Sequence, residues 1–182
     1  ASRGYAVVLA DNLGLGSSAL YHPYLHARSE ATAAVDLLRA ARTYCSQGGV
    51  ALNTKLFLCG YSQGGHATMA LHRELQTFHA GEFTVTASAP MAGSYDLSGV
   101  TTADFLSGRA MPNPYYFSYI MKAYREIYHL AETFEDVLAP AYQTALPPLL
   151  DGMHDGGDVD TVMPAAPLQI LKSAYLQAFQ ND

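Results

Sequence analysis

The first ninety residues alternate between apolar runs and amphipathic stretches, and this alternation limits the folds that the chain can adopt. Three apolar, β-branched runs predict strands over residues 4–10, 54–59 and 83–91. Between them, residues 28–46 and 65–79 place apolar side chains at three- and four-residue steps, which is typical of one face of a helix. A strand–helix–strand–helix–strand order predicts a parallel sheet with right-handed crossovers, and therefore an α/β fold with strands buried on both faces.

Beyond Gly93 the pattern changes to short helices. Residues 100–182 contain no run that predicts a strand. Prolines separate or start the predicted helices, which cover residues 101–108, 114–130, 134–146 and 167–179. We therefore expect a partial parallel-sheet core over residues 1–95 and a helical region over residues 96–182. Within the helical region, the aromatic and Met-rich stretch at 115–128 is expected to be buried, either as core or as the wall of a ligand tunnel.

The composition is that of a folded globular protein and excludes some functions. Hydrophobic residues make up 49% of the 182 residues and charged residues only 14%, which suits one domain with a real core. The net charge of −6 and the scattered basic residues argue against a nucleic-acid partner. No apolar run approaches the roughly 20 residues of a membrane span. No signal peptide is visible, so we expect that any such segment was removed or never existed.

Two cysteines, Cys45 and Cys59, fall at the end of a predicted helix and at the far end of the strand that follows. The intervening strand separates them by more than the roughly 7 Å that a disulfide permits. We expect two buried free thiols, which do not decide the compartment.

The motif that carries chemistry is Gly-Tyr-Ser-Gln-Gly-Gly at residues 60–65, which matches G-x-S-x-G between a predicted strand and a predicted helix. A sharp turn there would lift the Ser62 hydroxyl clear of the sheet as a nucleophile. Small residues two before and two after it, Gly60 and Gly64, would relieve steric clashes. The helix that follows would aim the backbone N–H of Gln63 at the oxyanion of a tetrahedral intermediate.

With this motif, the chain resembles the secretory lipase family, the α/β-hydrolases of the fungal lipase A type and their bacterial relatives. Further matching pieces accompany the motif and the helix that begins near Ser29. They are Gly-Tyr-Ala-Val-Val at 4–8, Asp-Asn-Leu-Gly-Leu-Gly at 11–16, His-Pro-Tyr-Leu-His-Ala at 22–27, His-Ala-Thr at 66–68 and Ala-Pro-Met-Ala-Gly at 89–93. The resemblance implies a partial α/β-hydrolase core and identifies residues 96–182 as a helical cap, or lid, inserted over the active site.

The resemblance also implies a location and a missing part. Members of the family have further strands before Gly4, an oxyanion-hole group on that side, and a triad acid and histidine after the cap, beyond Asp182. We therefore expect these residues to be the middle of a larger hydrolase, secreted or periplasmic. Three strands alone would leave open sheet edges and apolar faces, so we expect another chain or a missing part of the fold to complete the sheet.

Histidines and acids after the motif do not close a triad by sequence alone. His154 and Asp155 follow the nucleophile in the chain, which is the right order for a base, but an adjacent acid does not easily orient the imidazole of its neighbour. We favour a polar loop in which Asp158 caps a short helix. The same acidic cluster lacks the closing Glu of a calcium loop, since position 162 is Val. The remaining candidates in this part of the chain are His129, Asp151 and Asp160.

Polar residues nearer the motif also have structural explanations. His66 lies one helical turn beyond Ser62, so a packed or hydrogen-bonded role is favoured over that of a base. His22 and His26 have an i,i+4 spacing on a loop, which disfavours zinc. Asp11 is expected to form a turn.

The predicted reaction is acyl transfer from a small carboxylic ester through an acyl-enzyme on Ser62, with no metal or organic cofactor. The resemblance implies short to medium acyl chains. Two alternatives remain open: a serine peptidase or thioesterase on the same fold, and an inert fragment, since the triad base is not found in the chain.

Overall fold

The computed structural model of the protein describes residues 4–18 and 21–181. Residues 1–3, 19–20 and 182, and with them the outer ends of the two predicted regions, lie outside the described residues. The chain forms two compact units. Unit 1 comprises Ala1–Ser18 and Leu25–Tyr95, and unit 2 comprises Ala19–Tyr24 and Asp96–Asp182.

Unit 1 contains a parallel pair of strands and two helices. In chain order these are α1 (Ala27–Gln47), β1 (Leu56–Tyr61), α2 (Gln63–Phe78) and β2 (Val85–Met91). The strands pair in register from Phe57 opposite Ala87 to Tyr61 opposite Met91. The predicted helices and the second and third predicted strands are confirmed, with ends that differ by at most two residues.

The predicted strand over residues 4–10 is wrong. The described residues of this segment have no strand pairing, and the side chains from Tyr5 to Leu9 are exposed. An apolar run becomes a strand only when a neighbouring strand accepts its backbone hydrogen bonds. The segment touches β1 through an edge-on contact between the Tyr5 and Phe57 rings, but this is not a ladder.

The small core of unit 1 lies between the sheet and its helices. Its buried members are Val35, Leu58, Leu71, Leu75 and Phe83. Along β1, Leu58 faces this core, whereas Phe57 and Tyr61 on the opposite face are exposed. The prediction of strands buried on both faces is therefore wrong for β1, because the described helices cover one face only. Cys45 and Cys59 are free as predicted, but they are half-buried and exposed rather than buried.

The start of α1 differs from the predicted cap at Ser29. The N-cap is His26, whose Nδ1 accepts a hydrogen bond from the Ser29 backbone N–H. The Ser29 hydroxyl donates back to the His26 carbonyl at 3.0 Å. An imidazole nitrogen thus takes the place of the usual hydroxyl or carboxylate oxygen.

Unit 2 is helical, as predicted. A π-helical turn (Leu97–Thr101) runs into α3 (Thr102–Leu106), and α4 (Tyr115–Tyr128), α5 (Gly156–Asp160) and α6 (Ser173–Asn181) follow. Short 3₁₀ turns at Pro147–Leu149 and Pro167–Ile170 lie between them. The short helix that was expected beside Asp158 is α5. The core gathers around Phe117, Val137, Leu138, Leu146 and Ile170, so part of the stretch at 115–128 is core.

The helix predicted over residues 134–146 is wrong. The segment forms turns, and Leu138 makes an isolated antiparallel bridge with Leu171. The Ala139 N–H donates to the Ile170 carbonyl at 2.7 Å. Pro140 disfavours helical geometry at the residue before it, and this pairing takes up the backbone groups instead. The same extended stretch at Leu171 divides the helix predicted over 167–179 into a 3₁₀ turn and α6.

Candidate active site

Ser62 occupies the single position between the end of β1 at Tyr61 and the start of α2 at Gln63. Its backbone has φ 55° and ψ −121°. A positive φ is uncommon for a residue with a Cβ, and such strain persists only where the surroundings hold it. Ser62 is exposed. The chain therefore makes the sharp bend that the motif predicts, and it leaves the residue accessible.

Backbone hydrogen bonds hold this bend on both sides of Ser62. Its N–H donates to the Met91 carbonyl at the end of β2 at 2.9 Å. Its carbonyl accepts from the N–H groups of Gly65 at 2.9 Å and His66 at 3.2 Å. The sheet and the first turn of α2 thus fix the same residue from opposite directions.

Close backbone packing explains some of the glycines around the bend. A Cβ on Gly60 would overlap the Gly64 carbonyl, and a Cβ on Gly65 would overlap the Met91 carbonyl. A Cβ on Gly93 would come within 2.5 Å of the His66 backbone nitrogen. A Cβ on Gly64 would meet no described atom within 4 Å. The start of α2 thus approaches β1 closely at Gly60 and the end of β2 closely at Gly65 and Gly93.

Gln63 is the first residue of α2. In a first turn, backbone N–H groups point out of the helix end and carry its positive partial charge. The N–H of Gln63 therefore lies directly after Ser62 in the part of the helix that favours an anion.

A buried carboxylate that the sequence analysis did not single out binds this first turn. Glu30 of α1 accepts a hydrogen bond from Gln63 Nε2 on one oxygen, at 2.9 Å. His66 Nδ1 lies 2.6 Å from the other oxygen. Only 1% of the Glu30 side chain is exposed. A signal existed in the sequence, because Glu30 lies at four-residue steps from Ala34 and Leu38 and therefore on the same side of its helix as these apolar residues.

The other polar residues of unit 1 that the sequence analysis considered make structural contacts. His66 is buried and hydrogen-bonded to Glu30, as expected. His26 caps α1, and burial lowers its pKa while the nearby Glu30 carboxylate opposes that shift. The Asp11 side chain packs against Gly16, which lies in the turn that follows Asp11 and has φ 62°.

The candidate acids and histidines of unit 2 form local turns. Asp155 caps α5, and Asp158 completes the capping box with it, so Asp158 is the third helical residue rather than the cap. Asp151 accepts from His154 Nδ1 at 3.0 Å, which lowers the pKa of Asp151 and raises the pKa of His154. His129 ends α4 with φ 52°. Within the described part of the chain, no three His, Cys, Asp or Glu side chains gather into a potential metal site.

A groove of about 680 Å³ in unit 1 lies away from the bend. Its walls include Thr54 and Thr84, which precede β1 and β2, together with Arg42 and Glu82. It therefore opens at the amino end of the strands, whereas Ser62 follows the carboxyl end of β1. Ligands of open α/β sheets bind beyond the carboxyl ends of the strands, so the groove is not the candidate active site.

Comparison with known proteins identifies the family of the chain. The model of a family described as secretory lipase matches residues 1–108. The chain belongs to the secretory lipase family. The resemblance predicted from the motif is thus confirmed. No curated protein matches the chain significantly in a sequence search.

Solved structures similar to this secretory lipase family member include two hydrolases. A suspected hydrolase from Legionella pneumophila is 28% identical with a TM-score of 0.83. The rice cell wall degrading esterase LipA from Xanthomonas oryzae is 29% identical with a TM-score of 0.81, and its ligand-bound form gives 0.82. These matches cover 94% of this chain but only 46–47% of those proteins.

The chain thus spans about half the length of the solved structures that it matches. The predicted fold class is confirmed: this family member has a partial parallel-sheet α/β-hydrolase core and a helical region. None of the helices in residues 4–18 and 21–181 is long and apolar enough to cross a membrane.

Proposed function

We propose that this chain is the nucleophile-bearing part of a serine hydrolase that cleaves carboxylic esters through an acyl-enzyme on Ser62. The observation that carries the proposal is the strained and exposed backbone of Ser62 at the turn from β1 to α2. Such a nucleophile elbow is the geometry in which α/β-hydrolases present their serine. The secretory lipase family and the esterase LipA among the similar structures support ester chemistry.

The proposed reaction has two acyl-transfer steps. The Ser62 Oγ forms a bond to the ester carbonyl carbon as its proton passes to a general base. The backbone N–H of Gln63 donates to the resulting oxyanion, and the base returns the proton to the alcohol that leaves. Water then attacks the acyl-enzyme in the same way and releases the acid. None of these steps uses a metal or an organic cofactor.

We propose that the base comes from a part of the fold that another chain or a missing part of this protein supplies. His66, one turn beyond Ser62, is held by Glu30 through its Nδ1, which supports an external base. Phe57 and Tyr61 are exposed on one face of β1. These exposed aromatic side chains support the proposal that a further element covers this face. A stable and monodisperse 182-residue monomer would contradict this proposal.

We also propose that unit 2 is the cap of the family. Its helical content and its separate hydrophobic core support this assignment.

A fluorophosphonate probe tests the nucleophile directly. In the completed protein, with the part of the fold that supplies the base present, we expect covalent labelling at Ser62, as mapped by peptide mass spectrometry, and Ser62→Ala to abolish the labelling. A folded protein that remains unlabelled would identify the inert fragment instead. For a labelled protein, nitrophenyl esters of graded chain length are compared with thioesters and aminoacyl amides. Preference for the amides or thioesters would contradict the assignment as an ester hydrolase.

A further inference from the structure

The carboxylate of Glu30 is buried, so hydrogen bonds must replace the water that it has lost. Removing a carboxylate from water costs several kcal/mol unless hydrogen bonds or charges replace its hydration. Both of its oxygens have partners, Gln63 Nε2 at 2.9 Å and His66 Nδ1 at 2.6 Å. Both oxygens of a carboxylate accept hydrogen bonds, and the Nδ1–H tautomer of His66 satisfies the second contact.

Both partners of Glu30 lie in the first turn of α2, immediately after Ser62. Gln63 is its first residue, and the backbone N–H of His66 donates to the Ser62 carbonyl at 3.2 Å. Glu30 belongs to the first turn of α1 and is separated from both partners by more than thirty residues. The Glu30 side chain of α1 thus restrains the first turn of α2, and this turn fixes the backbone at Ser62.

We infer that Glu30 is a positioning residue, which clamps the first turn of α2 and thereby keeps the Gln63 backbone N–H aimed at the oxyanion formed on Ser62. The inference rests on the proposed function, to which it adds the device that holds the oxyanion donor in place. Positive φ at Ser62 is a strained conformation, and the surroundings must hold this turn for the strain to persist. A loosened turn would place the donor poorly, and one oxyanion donor contributes on the order of a hundredfold in rate.

Two substitutions separate the effect of the Glu30 hydrogen bonds from the effect of the Glu30 charge. Glu30→Leu removes both hydrogen bonds and keeps the side chain apolar for its buried site. Glu30→Gln can keep both, since its oxygen accepts from Gln63 and its amide can donate to the alternative tautomer of His66. The matched control is Glu74→Leu, which removes a carboxylate that lies 3.6 Å from His79 Nε2, towards the other end of α2.

Two measurements are made on each variant: the rate of fluorophosphonate labelling at Ser62, and hydrogen exchange of backbone amides along α2. We expect Glu30→Leu to slow labelling about tenfold or more, and Glu30→Gln to stay within about threefold of the wild type. We expect exchange to accelerate in the first turn, residues 63–66, and not around Leu71 and Leu75. Glu74→Leu should leave labelling and the first turn unchanged. If Glu30 only joined the two helices, faster exchange would not be confined to the first turn. Nor would Glu30→Gln restore the rate of labelling.

The outcomes separate this inference from the proposed function. If the wild type is labelled and Glu30→Leu is labelled equally fast, the inference is overturned and the proposed function stands. If the wild type is not labelled in the completed protein, with the base present, the proposed function fails, and hydrogen exchange alone decides whether Glu30 clamps the turn. Uniform acceleration along α2, or none, would refute the clamp. If Glu30→Leu fails to fold, Gln63→Leu takes its place. It removes the hydrogen bond from Gln63 Nε2 to Glu30 but keeps the backbone N–H, and the same labelling and exchange outcomes decide.

Discussion

Unit 2 encloses its apolar side chains far more completely than unit 1 does. Among the described residues, thirteen buried apolar side chains form the core of unit 2, and five form that of unit 1. In unit 1, the face of β1 with Phe57 and Tyr61 is exposed, as are Val7 and Leu9. The comparison teaches that unit 2 is stabilised mainly by side-chain packing, whereas the candidate site in unit 1 depends on backbone contacts and one buried carboxylate.

The largest expected effect tests the difference in packing. Phe117→Ala in unit 2 should lower the free energy of unfolding by about 3–5 kcal/mol, because it leaves a cavity in a closed core beside the Phe105 ring. Phe57→Ala, at an exposed position of β1, should cost about 1 kcal/mol or less. Urea denaturation followed by circular dichroism measures both. Equal losses would mean that the exposed face of β1 is covered in solution.

An intermediate effect tests the backbone contacts of unit 1. Gly65→Ala should cost about 1–3 kcal/mol of unfolding free energy, because its Cβ would overlap the Met91 carbonyl and approach Gly93. Gly64→Ala is its matched control, since that Cβ meets no described atom and alanine favours helices by roughly 1 kcal/mol over glycine. The first change should also slow fluorophosphonate labelling. If both variants were equally stable, the close approach of α2 and β2 would not restrain the bend.

The smallest expected effect concerns the exposed pair of Asp151 and His154 in unit 2. The hydrogen bond to Asp151 raises the pKa of His154, so this contribution to stability is complete below the unfolded value of 6.5 and is lost as pH rises through the folded pKa. The same bond lowers the pKa of Asp151, whose contribution is present above 3.8 and is lost as pH falls through the folded pKa. The pair should therefore stabilise the protein most between about 4 and 6.5.

A comparison of His154→Asn with the wild type across this range of pH measures the contribution of the pair. The stability difference between the two proteins should be greatest at about pH 5 and should shrink on both sides. A difference that does not change with pH would show that the pair is uncoupled from folding in water.

Much of unit 1 and little of the loop structure of unit 2 could be predicted from the sequence. The helices α1 and α2 have long periodic patterns, and both ends of the G-x-S-x-G turn are marked by local signals. The segments at 4–10 and 134–146 have the composition of a strand and a helix, but their structure depends on partners. The first lacks a strand pairing among the described residues, and the second pairs at Leu138 with the distant Leu171.

By itself, the sequence determined the order of α1, β1, α2 and β2, the family, and the place of Ser62 at the turn, because each follows from neighbouring residues and local backbone geometry. Only the tertiary structure decided that Glu30 is buried against Gln63 and His66, and that the glycines pressed between α2 and β2 are Gly65 and Gly93. These contacts join residues far apart in the chain. No local pattern encodes them, since they form only when the helices pack on the sheet.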